Sequence, residues 1–554
     1  MPGLRVLIAL GAGLALADAS VVTLALPSML GDLDTTVEGV AAVIGVYTIV
    51  LAALLPLAAR LRSRTSDAVL AAVGFALFAL AGALCATPAS LAEMLAFRAL
   101  QAAGAAAALV AAFAFLRGSR LWTYAAVFGT AVGPALGGAL TQAFDWRAIF
   151  LFQVPLALAA AAASLAVRDD AAVAGPGEPG AAAGPGRHGV GTARALVALA
   201  ALAAALTGVL FLLVLLLVSG WSLEPLEAAA AVSVLPLAAF AGARVRAPAA
   251  VRASAGCALV GAGVLALAVL PGAAAGWIFA PQLLAGVGMG MALPALAGDL
   301  LPERSATQAA RLLAIRHAGI SVALLLIAPV AAAQLDGAVS DVRERGAALI
   351  LDARLPPLDK IELAGPLVAD LDPANPRDGL RDALDAQAHR FADDPEQRRA
   401  YADLTEHADE TLVAGIDDAF RVAFLITGAL ALVGAAAALP RAARPRTLAL
   451  AVAVAALALP AAQAVARTEL APEPVAIADP CAPRELPGTG GIDGLLQDAA
   501  LVALDRAACR FGSTREELAL ALADEEAARA YRAAHGVDPR SSDGLLDLLG
   551  INLG

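Results

Sequence analysis

The sequence predicts an all-α integral membrane protein, and three observations predict it. Of its 554 residues, 60% are hydrophobic and only 16% are charged, with a mean hydropathy of +0.77, whereas soluble domains carry about a quarter charged residues. Many separate apolar runs of about 20 residues match a ~30 Å hydrocarbon core at a rise of 1.5 Å per residue. Helices are the form in which each run satisfies its own backbone hydrogen bonds.

The runs place spans near residues 5-29, 39-59, 67-86, 91-116, 121-143, 147-167, 194-219, 226-244, 253-271, 276-298, 312-334, 419-439 and 447-466, thirteen in all. The first is too long for a signal-peptide core and has no convincing cleavage site, so it is expected to be retained. The last is Ala-rich and contains Pro460. Arginine alternates between the connections: Arg60, Arg62 and Arg64, then Arg117 and Arg120, Arg244 and Arg246, Arg304 and Arg311, and Arg441 and Arg444 all fall on one side, while the short loops opposite hold little but Arg147. By the positive-inside rule the amino terminus is then cytoplasmic.

Domain boundaries follow from this count. A first six-helix half covers 1-167, a Gly/Pro/Ala linker covers 168-193, and a second half is built from 194-335 and 419-440. Such a linker has nothing to bury and is expected to be a flexible cytoplasmic connection. Residues 336-418 form an acidic insert, 447-466 an additional span and 467-554 a carboxy-terminal domain. Within the insert, 336-416 hold 18 acidic against 9 basic residues, and the tail holds 15 against 8. The formal charge of −11 therefore comes from these two segments, the remainder standing at +5. Both fall on the extracytoplasmic side of this topology, and their acidity gives no support to nucleic-acid binding. In the tail, Ser513 and Glu516 stand at capping-box spacing before a helical pattern that ends at His535-Gly536. Cys481 and Cys509 are the cysteines outside the spans, and in an oxidising compartment a disulfide between them is favoured over free thiols. Cys85 and Cys257 lie within spans and read as small packing residues.

Polar residues inside spans are the candidates for function, since a central charge costs a few kcal/mol, about 3 on insertion scales. Asp18 lies in "LALADASVVTLALP". It either takes part in moving a proton or makes a structural hydrogen bond between helices. Arg98 and Gln101 share a face of the fourth span with Gly104. In the fifth, Gly129, Gly133 and Gly137 form a stripe beside Gly138 that admits close approach of another helix, and Pro134 is expected to loosen the helix. Arg316 and His317 are placed at the start of the eleventh span, near lipid headgroups. The histidines at 188, 317, 389, 407 and 535 have no metal-ligand spacing, and with Lys360 the sole lysine there is no phosphate-binding loop. Neither a metal nor ATP is expected. The acidic segments offer no nucleophile-base constellation, so the chain is not expected to be an enzyme.

These stretches resemble the major facilitator superfamily, in particular its proton-coupled drug efflux antiporters. "LADASVVTLALPSML" is similar to that group's first-span signature, "RALQAAGAA" to its fourth-span motif with Ala102 in place of a glycine, and "GPALGG" to its fifth-span antiporter motif. "WRAIFLFQVPLAL" is similar to the segment that follows, and "LLAGVGMGMALP" and "RLLAIRHAG" to the tenth and eleventh spans. The loop "ARLRSRTSDAV" departs from the family's gating motif: it keeps Arg64 but has Ser63 at the Asp position. The resemblance implies proton-driven efflux of a small amphipathic or lipophilic compound by alternating access, with Asp18 coupling, Arg98 and Gln101 lining the cavity, the glycine-proline helix moving against its neighbour, and the proton gradient in place of a cofactor. The alternative, which the eroded loop and large exterior favour, is a transporter-derived scaffold or sensor. High Ala and Arg usage suggests a GC-rich bacterial source and hence the bacterial cytoplasmic membrane; lipid and a small-molecule substrate are the implied partners.

Overall fold

The computed structural model describes residues 2–116, 119–167, 191–301, 305–357, 359–360, 363, 376–470, 475–488 and 491–541. Most of the linker predicted over 168-193, including His188, lies outside them. Among the described residues all regular structure is helical, and twelve helices are long and apolar enough to cross a membrane. A further helix of 24 residues, Arg120–Ala143, stands at the position predicted for the fifth span.

The helices of the first half are α1 (Pro2–Thr23), α2 (Leu26–Asp32), α3 (Val37–Leu61), α4 (Asp67–Cys85), α5 (Leu91–Leu116), α6 (Arg120–Ala143) and α7 (Arg147–Ala166). The run predicted as one span to residue 29 is divided after Thr23, because Pro27 has no N–H to return to that carbonyl. Thr36 and Ser66 cap α3 and α4 through their hydroxyls, each accepting a backbone N–H three residues on. The end of α2 is tied to the start of α7: Trp146 Nε1 and Arg147 Nη1 both donate to Asp32 Oδ2, at 2.8 and 2.9 Å. The indole hydrogen bond above all, opposed by partial burial and helped by Arg147, holds the Asp32 carboxyl below its ordinary range.

In the second half, α8 (Thr192–Leu215) is followed by α9 (Pro225–Val232) and α10 (Val234–Gly242), which together make the eighth span. Pro236 deprives Val232 of a helical donor, and the break falls beside it. Next come α11 (Ala249–Leu267), α12 (Ala275–Leu300) and α13 (Ala306–Asp352), then α14 (Pro376–Ala388) and α15 (Pro395–Ala438). The spans predicted at 312-334 and 419-439 are thus only the apolar parts of helices of 47 and 44 residues. Hydropathy stops where the lipid does, but helical hydrogen bonding continues. Because α13 begins at residue 306, His317 sits eleven residues, about 16 Å, along it. It is 2% exposed and bonded through Nδ1 to the Leu313 carbonyl, which corrects its expected place among headgroups. The last span is α16 (Ala443–Ala456) and α17 (Ala458–Leu470), interrupted at Leu457 just before Pro460.

Two compact units result. The first contains Met1–Val218, Leu223–Ala333 and Phe420–Leu470; the second contains Ser219–Ser222, Gln334–Ala419 and Ala471–Gly554. The acidic insert and the tail, over 50 residues apart in sequence, therefore belong to one body. Within it, Arg377 and Arg381 both pair with Asp409, at 2.6 and 3.0 Å, and Trp221 Nε1 donates to Asp417 at 2.9 Å. The tail consists of α18 (Gly491–Phe511), α19 (Arg515–Ala523) and α20 (Glu525–His535). The predicted capping box is shifted by one residue: Thr514 accepts from the Glu517 N–H and is the cap. Ser513 instead pairs with Tyr531 Oη at 2.7 Å, and Glu516 is wholly buried. The single helix read from 513 to 535 is divided at Asp524, whose side chain caps α20, and Gly536 ends it at φ +73°.

Buried charge joins the tail to the insert. Arg515, fully buried, donates to Asp352 Oδ1 at 2.7 Å and to Glu516 Oε1 at 2.9 Å, and Arg484 meets the same Glu516 oxygen at 2.8 Å. Burial raises the Asp505 carboxyl in this cluster against the pull of both arginines. Cys481 and Cys509 are bonded, with Cα atoms 5.0 Å apart, and hold the segment bearing Arg484 against α18. Closing a loop of this length, a separation of 28 residues, stabilises by about 3–4 kcal/mol in the chain-entropy view. Replacing both cysteines by serine is predicted to raise hydrogen exchange in α18 and α19 by two or more orders of magnitude while α1 and α5 keep their protection.

Candidate functional site

Three helices each bring two groups, three or four residues apart, to the surroundings of Asp18. From α5 come Arg98 and Gln101, from α3 the Val43 carbonyl and Tyr47, and from α7 Phe150 and Gln153. That spacing sets both members of each pair on one face. Asp18, Arg98 and Gln101 have no exposed surface, and Gln153 is 2% exposed.

Arg98 is held from every side. Nη2 donates to Asp18 Oδ2 at 2.5 Å, Nη1 to Gln101 Oε1 at 2.6 Å and Nε to the Val43 carbonyl at 3.1 Å. Its guanidinium carbon stands 4.4 Å from the centre of the Tyr47 ring and 5.6 Å from that of Phe150, and such faces attract a cation. Tyr47 is fixed by donating to the Ala15 carbonyl at 2.9 Å, one turn before Asp18 on α1. Gln153 Nε2 donates to the other oxygen of Asp18 at 3.4 Å, and Gln101 Nε2 donates to Gln153 Oε1 at 3.5 Å. Cys85 adds its thiol to Gln101 Oε1 at 3.8 Å.

The glycine stripe closes on the same place. A Cβ at Gly133 would stand 2.1 Å from Ser20 Oγ, and one at Gly137 would stand 2.3 Å from the Val21 carbonyl, so α6 meets α1 immediately beyond Asp18. Gly138 faces α9 instead, with the Pro225 carbonyl 2.5 Å from its Cβ position. Gly129 belongs to the same helix, which runs unbroken through Pro134 where loosening was expected. Arg64 is exposed; in its loop Arg62 makes the ion pair, to Asp67 at 2.6 Å.

Sequence reasoning named Asp18, Arg98 and Gln101, which the fold brings together, and passed over Gln153 and Tyr47. The signal for Gln153 was present: it is an amide inside an apolar run, a type that finds a partner on another helix.

A model of the Major Facilitator Superfamily matches residues 8–324, more than half of the chain. The chain belongs to the Major Facilitator Superfamily. It is accordingly a member of a transporter family and not an enzyme. It is similar to a methylenomycin A resistance protein of Bacillus subtilis (strain 168), with 32% identity over 171 residues, 28% of this chain and 37% of that protein. It is similar also to a tetracenomycin C resistance and export protein of Streptomyces glaucescens, with 30% identity over 30% of this chain and 32% of that one. The multidrug resistance protein Stp of Mycobacterium tuberculosis (strain ATCC 25618 / H37Rv) is 31% identical over 28% of this chain and 31% of its own. The matched region spans about a third of the length of these relatives. Among solved structures, a bacterial homologue of the human lysosomal transporter Spinster, inward-facing and occupied, shares the fold with a TM-score of 0.50 at 16% identity, over 78% of this chain and 96% of that one.

A buried ion pair stripped of one member leaves a charge that nothing compensates, at a cost of about 3–5 kcal/mol, whereas exchanging both members for apolar residues is often neutral. Arg98→Met is therefore predicted to lower the unfolding temperature of the detergent-solubilised protein sharply, and Asp18→Leu/Arg98→Met to recover most of the loss.

Proposed function

We propose that this member of the superfamily exports a small amphipathic or lipophilic compound in exchange for protons, with Asp18 as the proton carrier. The observation that carries the reading is the wholly buried pair of Asp18 and Arg98, on α1 and α5 of the first half. An ionisable pair in a membrane interior is costly and is retained where charge has to move. Protonation of Asp18 removes one member of the pair and leaves Arg98 among ring faces and carbonyls, so proton occupancy and helix arrangement are linked. The relatives' names, resistance and export of methylenomycin A and tetracenomycin C, support efflux as the direction.

Alternating access needs two halves joined by contacts that can part. Thr48 Oγ1 meets Ser321 Oγ at 2.9 Å between α3 and α13, and Gln142 Oε1 accepts from the Leu226 N–H at 2.9 Å between α6 and α9. Each is a single hydrogen bond, worth about 1 kcal/mol net, which suits an interface that opens and recloses. A scaffold that no longer turns over would have no need to keep the ion pair buried beside such contacts.

The placement in a bacterial cytoplasmic membrane with a cytoplasmic amino terminus rests on the arginine alternation. The second compact unit supports it. Its three segments are separated by four spans and by two, both even numbers, so all emerge on one face. The disulfide in that unit suits the oxidising, extracytoplasmic side.

The test is transport into inside-out proteoliposomes under an imposed pH gradient, with ethidium, methylenomycin A and tetracenomycin C as probes. Gradient-driven uptake of at least one probe is predicted, falling at least about tenfold in Asp18→Asn, as the loss of an obligatory coupling group demands. Uptake that survives in Asp18→Asn overturns the assignment of Asp18.

A further inference from the structure

Asp18, Arg98, Gln101 and Gln153 form a closed ring of hydrogen bonds, and the ring has a direction. A guanidinium carries donors only, so Gln101 has to turn Oε1 toward Arg98, at 2.6 Å. Its Nε2 is then left to donate to Gln153 Oε1, at 3.5 Å, and Gln153 Nε2 to donate to Asp18 Oδ1, at 3.4 Å. Asp18 thus receives a donor on each oxygen, Arg98 on Oδ2 and Gln153 on Oδ1. At 0–2% exposure no surface water competes for any of the four side chains.

We propose that Gln153 is a positioning residue that reads the protonation state of Asp18 and, by turning its amide, passes it through Gln101 to Arg98. This rests on the reading of Asp18 as the proton carrier. The step is one proton transferred from hydronium, whose O–H bond breaks to leave water, forming one O–H bond on the carboxylate. On Oδ2 the new hydrogen would face Arg98, which cannot accept it. On Oδ1 it faces Gln153, which can, by a half-turn about its Cγ–Cδ bond that presents Oε1. Gln153 then turns Nε2 toward Gln101, and Gln101 answers with its own half-turn. That sets Gln101 Nε2 against Arg98 Nη1, donor against donor. Arg98, whose ionic partner is now a neutral acid, loses the hydrogen bond to Gln101 and keeps only the neutral ones to Asp18 Oδ2 and the Val43 carbonyl. A proton on α1 is thereby converted into a loosened arginine on α5.

The surroundings permit this sequence. The other titratable groups facing the ring are Tyr47 from α3, whose hydroxyl is engaged by the Ala15 carbonyl, and Cys85 from α4, whose thiol is a weak donor and acceptor and tolerates either face of Gln101. On α13, Arg316 is half-buried and His317 is buried, bonded through Nδ1 to the Leu313 carbonyl. Among the described residues α7 adds no charged group except Arg147 at its first position, paired with Asp32.

Infrared difference spectroscopy of the purified full-length protein on acidification, with glutamine labelled with 13C at the side-chain carbonyl, tests this. A carboxylic C=O band that is absent in Asp18→Asn is predicted, accompanied by isotope-shifted glutamine amide bands; Gln153→Leu keeps the first and loses most of the second. An Asp18 band without isotope-sensitive glutamine changes, or glutamine bands that persist in Gln153→Leu, overturns the relay and leaves the proton-carrier reading standing. No Asp18 band at any pH overturns both. Should Gln153→Leu fail to fold, the labelled wild type alone decides, and Gln153→Asn, shorter by one methylene, replaces it for assignment.

Discussion

The ion pair between Asp18 and Arg98 constrains everything built around it. Each ion gives up hydration worth several kcal/mol even after relaxation, and the surroundings are arranged to offset that loss. One carboxylate oxygen receives the guanidinium and the other an amide, while the guanidinium spends its remaining donors on Gln101 and the Val43 carbonyl between two ring faces. These demands bring together groups from four helices, α1, α3, α5 and α7. Gly133 and Gly137 then let α6 close on α1 one step beyond the carboxylate, where any Cβ would collide with Ser20 or Val21. The site is neutral as a pair, and that neutrality is what a single added proton disturbs.

Much of this was legible in the sequence because the membrane simplifies the code. Inside an apolar run a charged or amide side chain stands out, so Asp18, Arg98 and Gln101 were readable before any coordinates. Gln153 was written in the same code, but choosing it required knowing that α7 passes Asp18, a fact about packing between residues 135 apart. Helix ends were less legible. Pro27 and Pro236 divide runs that hydropathy reads as continuous, and α13 and α15 continue well past the point where apolar residues stop. The cap at Thr514 differs from the expected one at Ser513 because Tyr531, 18 residues on, claims the serine hydroxyl.

The assembly of the insert and tail into one body was the least legible feature, since nothing local announces it. It depends on Arg515 reaching Asp352 across 163 residues and on Glu344 accepting from Thr514 across 170. Composition marked both segments as acidic and exterior, but the few buried arginines that join them are invisible in a net charge.

Coupling is thermodynamically reciprocal, and the most direct measurement uses the reverse flux. Ethidium added outside proteoliposomes with no pH gradient, the membrane potential clamped and a pH-sensitive dye in the lumen, should drive protons out as it enters, so that the lumen turns alkaline in the wild type and stays unchanged in Asp18→Asn. Ethidium entry with no change of lumen pH in the wild type would contradict the account.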